Sequence, residues 1–145
     1  MSQSSAAVAA VLGGRRTLRK QIRTTSELAA AVEAGLPVAS LDIVVRRVAG
    51  ETRKATEIKH RVVPKTTLQR RSHRLSTEES VRLERLARLT ALAEQVWEDP
   101  DLAHEFLMGS QPQLGGQKPV DLIRTDLGTR SVEDLLWSLE YSLPA

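Results

Sequence analysis

The chain has 145 residues, of which 41% are hydrophobic and only 3% aromatic, so it can bury a core and is not disordered throughout. It has no cysteine, which excludes disulfides, thiolate metal sites and a cysteine nucleophile. Its net charge of +3 conceals a strong polarity: residues 1–75 carry 15 Lys/Arg against 5 Asp/Glu (+10), and residues 76–145 carry 6 against 13 (−7). A basic half suits nucleic acid, whereas an acidic half suits basic protein partners.

The first 23 residues read as a flexible basic arm. The apolar run Ala6 to Leu12 precedes Arg15 and Arg16, the reverse of a secretion signal, and is far too short to cross a membrane. A cytoplasmic protein with no membrane partner is expected. Thr24, Thr25 and Ser26 followed by Glu27 mark a capped helix that Gly35 and Pro37 stop. From Val38 to Val48 the β-branched residues allow a strand, but the apolar spacing 41, 44, 45, 48 fits a helix better. A short helical face follows Gly50 at Ala55, Ile58 and Val62.

Pro64 opens the segment PKTTLQRRSHR. Read as the second helix of a helix-turn-helix, it turns Leu68 inward and leaves Lys65, Thr66, Thr67, Gln69, Arg70, Arg71 and Arg74 to face DNA. Gln and Arg side chains can pair with adenine and guanine edges, while Lys and Thr can reach phosphates. The alternative is a solvated charged face, since the turn lacks a central glycine.

Ser76 and Glu79 form an N-terminal capping signature for the clearest helix, with Leu83, Leu86, Leu89, Ala93, Val96 and Trp97 on its apolar side. Asp99-Pro100 starts another, with Leu102, Ala103, Phe106 and Leu107 inside. After a polar connection over 109–117, Pro119 starts a helix carrying Val120, Leu122, Ile123 and Leu127 that closes at Gly128. The last helix is expected from about Ser131. The fold class is therefore all-α: a helix-turn-helix region over 24–75 and a small helical domain over 76–145.

Catalysis finds little support. His60, His73 and His104 are scattered without metal-like spacing, and the carboxylates Asp99, Asp101, Glu133 and Asp134 sit at helix starts, where they oppose the helix dipole. Gly115-Gly116 lacks the strand and the Gly-Lys-Ser/Thr of a phosphate loop. Neither an enzyme, a metal site nor a cofactor is expected.

The stretch RLERLARLTALAEQVWEDPDLAHEFL, then QPQLGGQKPVDLIRTDLG, then VEDLLWSLEYSLPA resembles the toxin-binding domain of the Xre/MbcA/ParS antitoxins. The resemblance covers about the last 70 residues and extends more loosely to about Leu28. It implies a type II toxin–antitoxin pair whose partner is a RES-domain toxin, an enzyme that consumes NAD or uses it to ADP-ribosylate a protein. It assigns toxin contacts to Leu114, Gly115, Gly116, Lys118, Pro119 and Asp121, and an active-site-covering role to Glu140, Tyr141, Ser142, Leu143, Pro144 and Ala145. Ser142 departs from the glycine that members of the family often carry there. The resemblance also fits autoregulation through operator DNA, and since a lone helix-turn-helix binds weakly and palindromic sites favour two-fold partners, a homodimer within the toxin–antitoxin assembly is expected. The rival reading is a free-standing DNA-binding repressor.

Overall fold

The computed structural model describes residues 3–142, which form α-helices and two 3₁₀ helices with no β-strand among them. The α-helices are α1 (Ser5–Val11), α2 (Gly14–Leu18), α3 (Thr25–Ala34), α4 (Val38–Ala49), α5 (Arg53–Val62), α6 (Lys65–Leu68), α7 (Thr77–Trp97), α8 (Pro100–Met108) and α9 (Asp126–Ser142). The 3₁₀ helices are Pro112–Leu114 and Pro119–Arg124. The all-α class is thus what the Leu- and Ala-rich composition implied.

The longest helix, α7, is the axis of the molecule. It is nucleated by a complete capping box: the Ser76 hydroxyl accepts from the Glu79 N–H at 3.2 Å, and the Glu79 carboxylate accepts from the Ser76 N–H at 2.7 Å. Leu83, Leu86, Leu89 and Leu92 are fully buried along it, against α1, α3 and α4 on one side and α8 and α9 on the other. Burying each leucine is worth about 1.5–3 kcal/mol. Buried apolar residues from Val8 to Leu136 form one continuous core spanning both halves of the chain.

Helix α3 starts with its own capping box, Thr24 with Glu27, and α4 adopts the helical alternative that the spacing of Leu41, Val44, Val45 and Val48 favours. Three parts of the chain differ from expectation. Residues 5–18 are not a flexible arm but two helices, because Val8, Val11 and Leu12 are apolar enough to insert into the core at 1%, 2% and 0% exposure. The helix opened by Pro64 ends after one turn at Leu68, because residues 73–75 are drawn out into a bridge with 36–38. There Val38 N–H donates to His73 O and Leu75 N–H to Leu36 O, each at 2.9 Å.

The third difference concerns Gly128, which lies inside α9 rather than ending a helix. Thr125 Oγ1 accepts from the Gly128 N–H at 2.9 Å, so α9 begins near Asp126, five residues before Ser131. A side chain at 128 would place Cβ 2.5 Å from Leu122 O, so glycine is required where α9 crosses the preceding 3₁₀ helix. Leu127 consequently faces outward. At about 100° per residue it lies roughly 140–200° around α9 from Thr129, Val132 and Leu136, the residues that α9 buries.

Side-chain bonds join the basic and acidic halves. Arg47 forms a bidentate pair with Glu94 at 2.6 and 2.8 Å, Arg61 of α5 pairs with Asp121, Arg82 Nε donates to Val62 O at 2.8 Å, and His104 meets Val48 O. Glu94 raises the pKa of Arg47 by hydrogen bonding to its charged form.

Candidate functional site

Residues 109–125 leave helix α8 and return to α9 as a tightly folded loop. Gln111 N–H donates to Gln117 O at 3.1 Å, closing an antiparallel bridge, while Gly116 N–H donates back to Gln111 O at 2.9 Å. Gly115 and Gly116 hold φ of 67° and 80°, a left-handed pair that brings the loop around within so few residues. Gln111 also donates from Nε2 to Phe106 O at 3.0 Å, tying the loop to α8.

Within this loop the expected contact residues take distinct positions. Gly115, Gly116 and Lys118 are exposed, and Leu114 is half-buried against the core. Pro119 is buried and begins the second 3₁₀ helix, whose Val120 and Ile123 anchor it at 1% and 0% exposure. Asp121 is half-buried and engaged by Arg61, so its carboxylate clips the loop to α5. Arg85 adds a second clip by donating to Ile123 O at 3.3 Å. The loop is therefore a shaped surface over an anchored base.

At the end of α9, Glu140 is half-buried while Tyr141 and Ser142 are exposed. The Tyr141 ring stacks on Trp137 with centroids 6.1 Å apart and planes 24° from parallel. Ser142 Oγ donates to Ser138 O, so its side chain stays with the helix. Leu143, Pro144 and Ala145 lie outside the described residues.

Of the exposed apolar groups that stand out in this half, sequence reasoning marked Tyr141 through the family resemblance but placed Leu102 and Leu127 inside. Leu127 is 71% exposed, Tyr141 61% and Leu102 44%. Leu102 lines a shallow hollow of about 280 Å³ with Trp97, Glu105, Phe106 and Gln111, and the Trp97 and Phe106 rings lie 6.2 Å apart. The apolar spacing of α8 placed Leu102 inside. No sequence signal separates it from its buried neighbours, because the hollow exists only where the 109–125 loop meets α8.

The expected DNA-facing residues also fall into two groups. Lys65, Thr66, Gln69 and Arg70 are exposed and Thr67 is half-buried. Arg71 instead forms a two-pronged pair with buried Glu79 at 3.0 and 3.2 Å, and Arg74 donates from Nη1 to Gly35 O at 2.9 Å. Burial alone would raise the pKa of Glu79, but the Arg71 guanidinium and the bonds from Ser76 hold it below its ordinary value. Glu84 behaves oppositely: burial pushes its pKa up, with Arg88 opposing this and Glu133 adding to it. Arg88 bridges the two carboxylates at 3.2 and 3.3 Å.

Taken together, these features define an all-α scaffold that presents an anchored glycine loop and an apolar helix end. Residues 92–141 match the family model of the antitoxin Xre/MbcA/ParS C-terminal toxin-binding domain. The likeness to that antitoxin family lies in this segment of the chain. A curated relative, the Antitoxin Xre of Pseudomonas putida, is 35% identical over 78 residues, which cover 52% of this chain and 49% of that protein. The match thus spans about half the length of that relative. No helix among the described residues is long and apolar enough to cross a membrane.

Proposed function

We propose that this chain neutralises a RES-domain toxin by covering its NAD site with the segment from Glu140 onward, while the 109–125 loop and the outer face of α9 hold the toxin in register. The observation that carries this reading is a coincidence of position. The segment that matches the toxin-binding family model, 92–141, also contains the three large exposed apolar side chains found among the described residues, Leu102, Leu127 and Tyr141. Solvent gives such groups no reason to be exposed together on one small domain, and a protein partner does. The chain itself needs no catalytic group in this role. It acts by excluding NAD from another protein's site.

The division of labour follows the charge polarity. Residues 76–145 serve the toxin, and residues 24–75 serve operator DNA through Lys65, Gln69 and Arg70, with two copies of the chain matching a two-fold site. Arg71 and Arg74 support this surface by fixing its backbone. A free-standing repressor is the second reading, favoured by the same cations.

Co-expression with a RES-domain toxin tests the proposal. A stable complex and preserved cellular NAD are expected, and removing residues 140–145 should restore NAD loss. Full protection by the truncated chain would refute the covering role.

A further inference from the structure

The basic residues of the chain divide sharply by what they touch. Arg46, Arg47, Lys59, Arg61 and Arg71 are each paired with a carboxylate. The cations of residues 15–20 make no ion pair among the described residues, and neither do Arg70 and Arg74. In sequence these two clusters are some fifty residues apart. In the fold Arg16 and Arg19 of the first meet Arg74 of the second.

The meeting is enforced by local geometry. Gly13, at φ 113°, turns the chain between α1 and α2, and a Cβ there would lie 2.5 Å from Thr17 Oγ1 and 2.9 Å from Ile43 Cδ1. Helix α2 is thereby folded tightly back beside α4. From the other direction, the bridge between Pro37 and Arg74 and the His73 carbonyl bond to Val38 pin residues 73–74 at the start of α4. The result is a cleft of about 500 Å³ lined by Arg16, Thr17, Arg19, Pro37, Ala39, His73 and Arg74, and no carboxylate among the described residues lines it.

We infer that this cleft grips the phosphate backbone of duplex DNA. The inference rests on the operator-binding part of the proposed function and adds a site to it: a phosphate clamp separate from Lys65, Gln69 and Arg70. The guanidinium groups of Arg16 and Arg19, with the N–H groups that Arg74 does not give to the Gly35 carbonyl, line one concave cleft and suit consecutive phosphates, and Thr17 adds a hydroxyl donor. Such bonds fix the protein on the duplex and carry no sequence information. They also account for a basic α2 held in place rather than left mobile: a clamp ordered in advance loses less entropy on binding.

The test is a salt titration of the full-length chain with a fluorescently labelled DNA duplex of arbitrary sequence and, in parallel, a duplex of its own promoter. Arg16→Ala/Arg19→Ala removes two exposed side chains and should leave the melting temperature unchanged. Between about 50 and 200 mM salt, each phosphate left without its arginine should lower the slope of log affinity against log salt by about 0.9 in magnitude, so this variant should fall short of the parent by about two. The weakening should be equal on both duplexes, whereas Gln69→Ala/Arg70→Ala should weaken the promoter duplex more. Toxin co-purification should be untouched by either variant. A wild-type slope in Arg16→Ala/Arg19→Ala overturns the clamp, as does a weakening seen on an RNA hairpin but not on the duplexes. Failure of the wild-type chain to bind any duplex also overturns it, while leaving toxin neutralisation standing.

Discussion

The two irregular segments of the molecule, residues 65–75 and 109–125, solve the same problem in different ways. Each must carry the chain from one long helix to the next with only short helical turns. The first is held by arginine side chains: Arg71 on buried Glu79 and Arg74 on the Gly35 carbonyl. The glycine turn of the second is held by its own backbone, through the Gln111–Gln117 bridge and two left-handed glycines, and arginines reach only its buried base, Arg61 on Asp121 and Arg85 on the Ile123 carbonyl. A segment fixed by charged side chains spends part of its basic surface on structure and is sensitive to pH. One fixed by backbone bonds leaves its side chains available to a partner. This explains why most of the exposed glycine loop offers shape rather than charge.

The comparison can be broken most forcefully at the helix both segments lean on. Leu89→Ala in α7 should cost about 2–5 kcal/mol in a urea melt, loosening both segments together, because Leu89 is fully buried in the shared core. Arg71→Ala should act on the first segment alone. It strands the Glu79 carboxylate, which now contributes stability above its ordinary pKa of 4.5 and loses it as pH falls through the depressed native value. Thermal melts of this variant should show a lower melting temperature at neutral pH and acid unfolding that begins at higher pH than in the parent. The 109–125 backbone amides should keep their hydrogen-exchange protection.

Smaller effects sharpen the contrast. Gly116→Ala forces a side chain into a left-handed turn and should destabilise the loop by roughly 1 kcal/mol, read by hydrogen exchange, with no pH dependence. Glu84→Gln should do the reverse of Arg71→Ala. Burial raises the pKa of Glu84, so its ionised form opposes folding above its ordinary pKa of 4.5. The neutral variant should melt at a slightly higher temperature at pH 7, the gain disappearing as pH falls below that value.

Much of the scaffold was legible because its signals are local. Thr24 with Glu27 and Ser76 with Glu79 are capping boxes that announce α3 and α7, and Asp99-Pro100 announces α8. What escaped depends on contacts between distant parts. Nothing near Leu12 shows that it will be buried, since its burial needs α4, where Ser40 donates to its carbonyl, and the core beyond. Gly128 reads as a stop because its close neighbour, the Leu122 carbonyl, is known only once the 3₁₀ helix has folded. Asp99 and Asp101 were read correctly as the start of α8, but Glu133 and Asp134 lie in the middle of α9, where Glu133 pairs with Arg88. The outward-facing Leu127 was not read correctly, because its orientation depends on where α9 begins.

The central claim is that the outer face and end of α9 cover a toxin. Its most direct test is cellular NAD in cells that co-express a RES-domain toxin with Leu127→Asp, an exposed position whose exchange should leave the melting temperature nearly unchanged. The account predicts at least a tenfold weaker complex, about 1.4 kcal/mol, and NAD depletion that the parent chain prevents. A variant that binds and protects as well as the parent would contradict it.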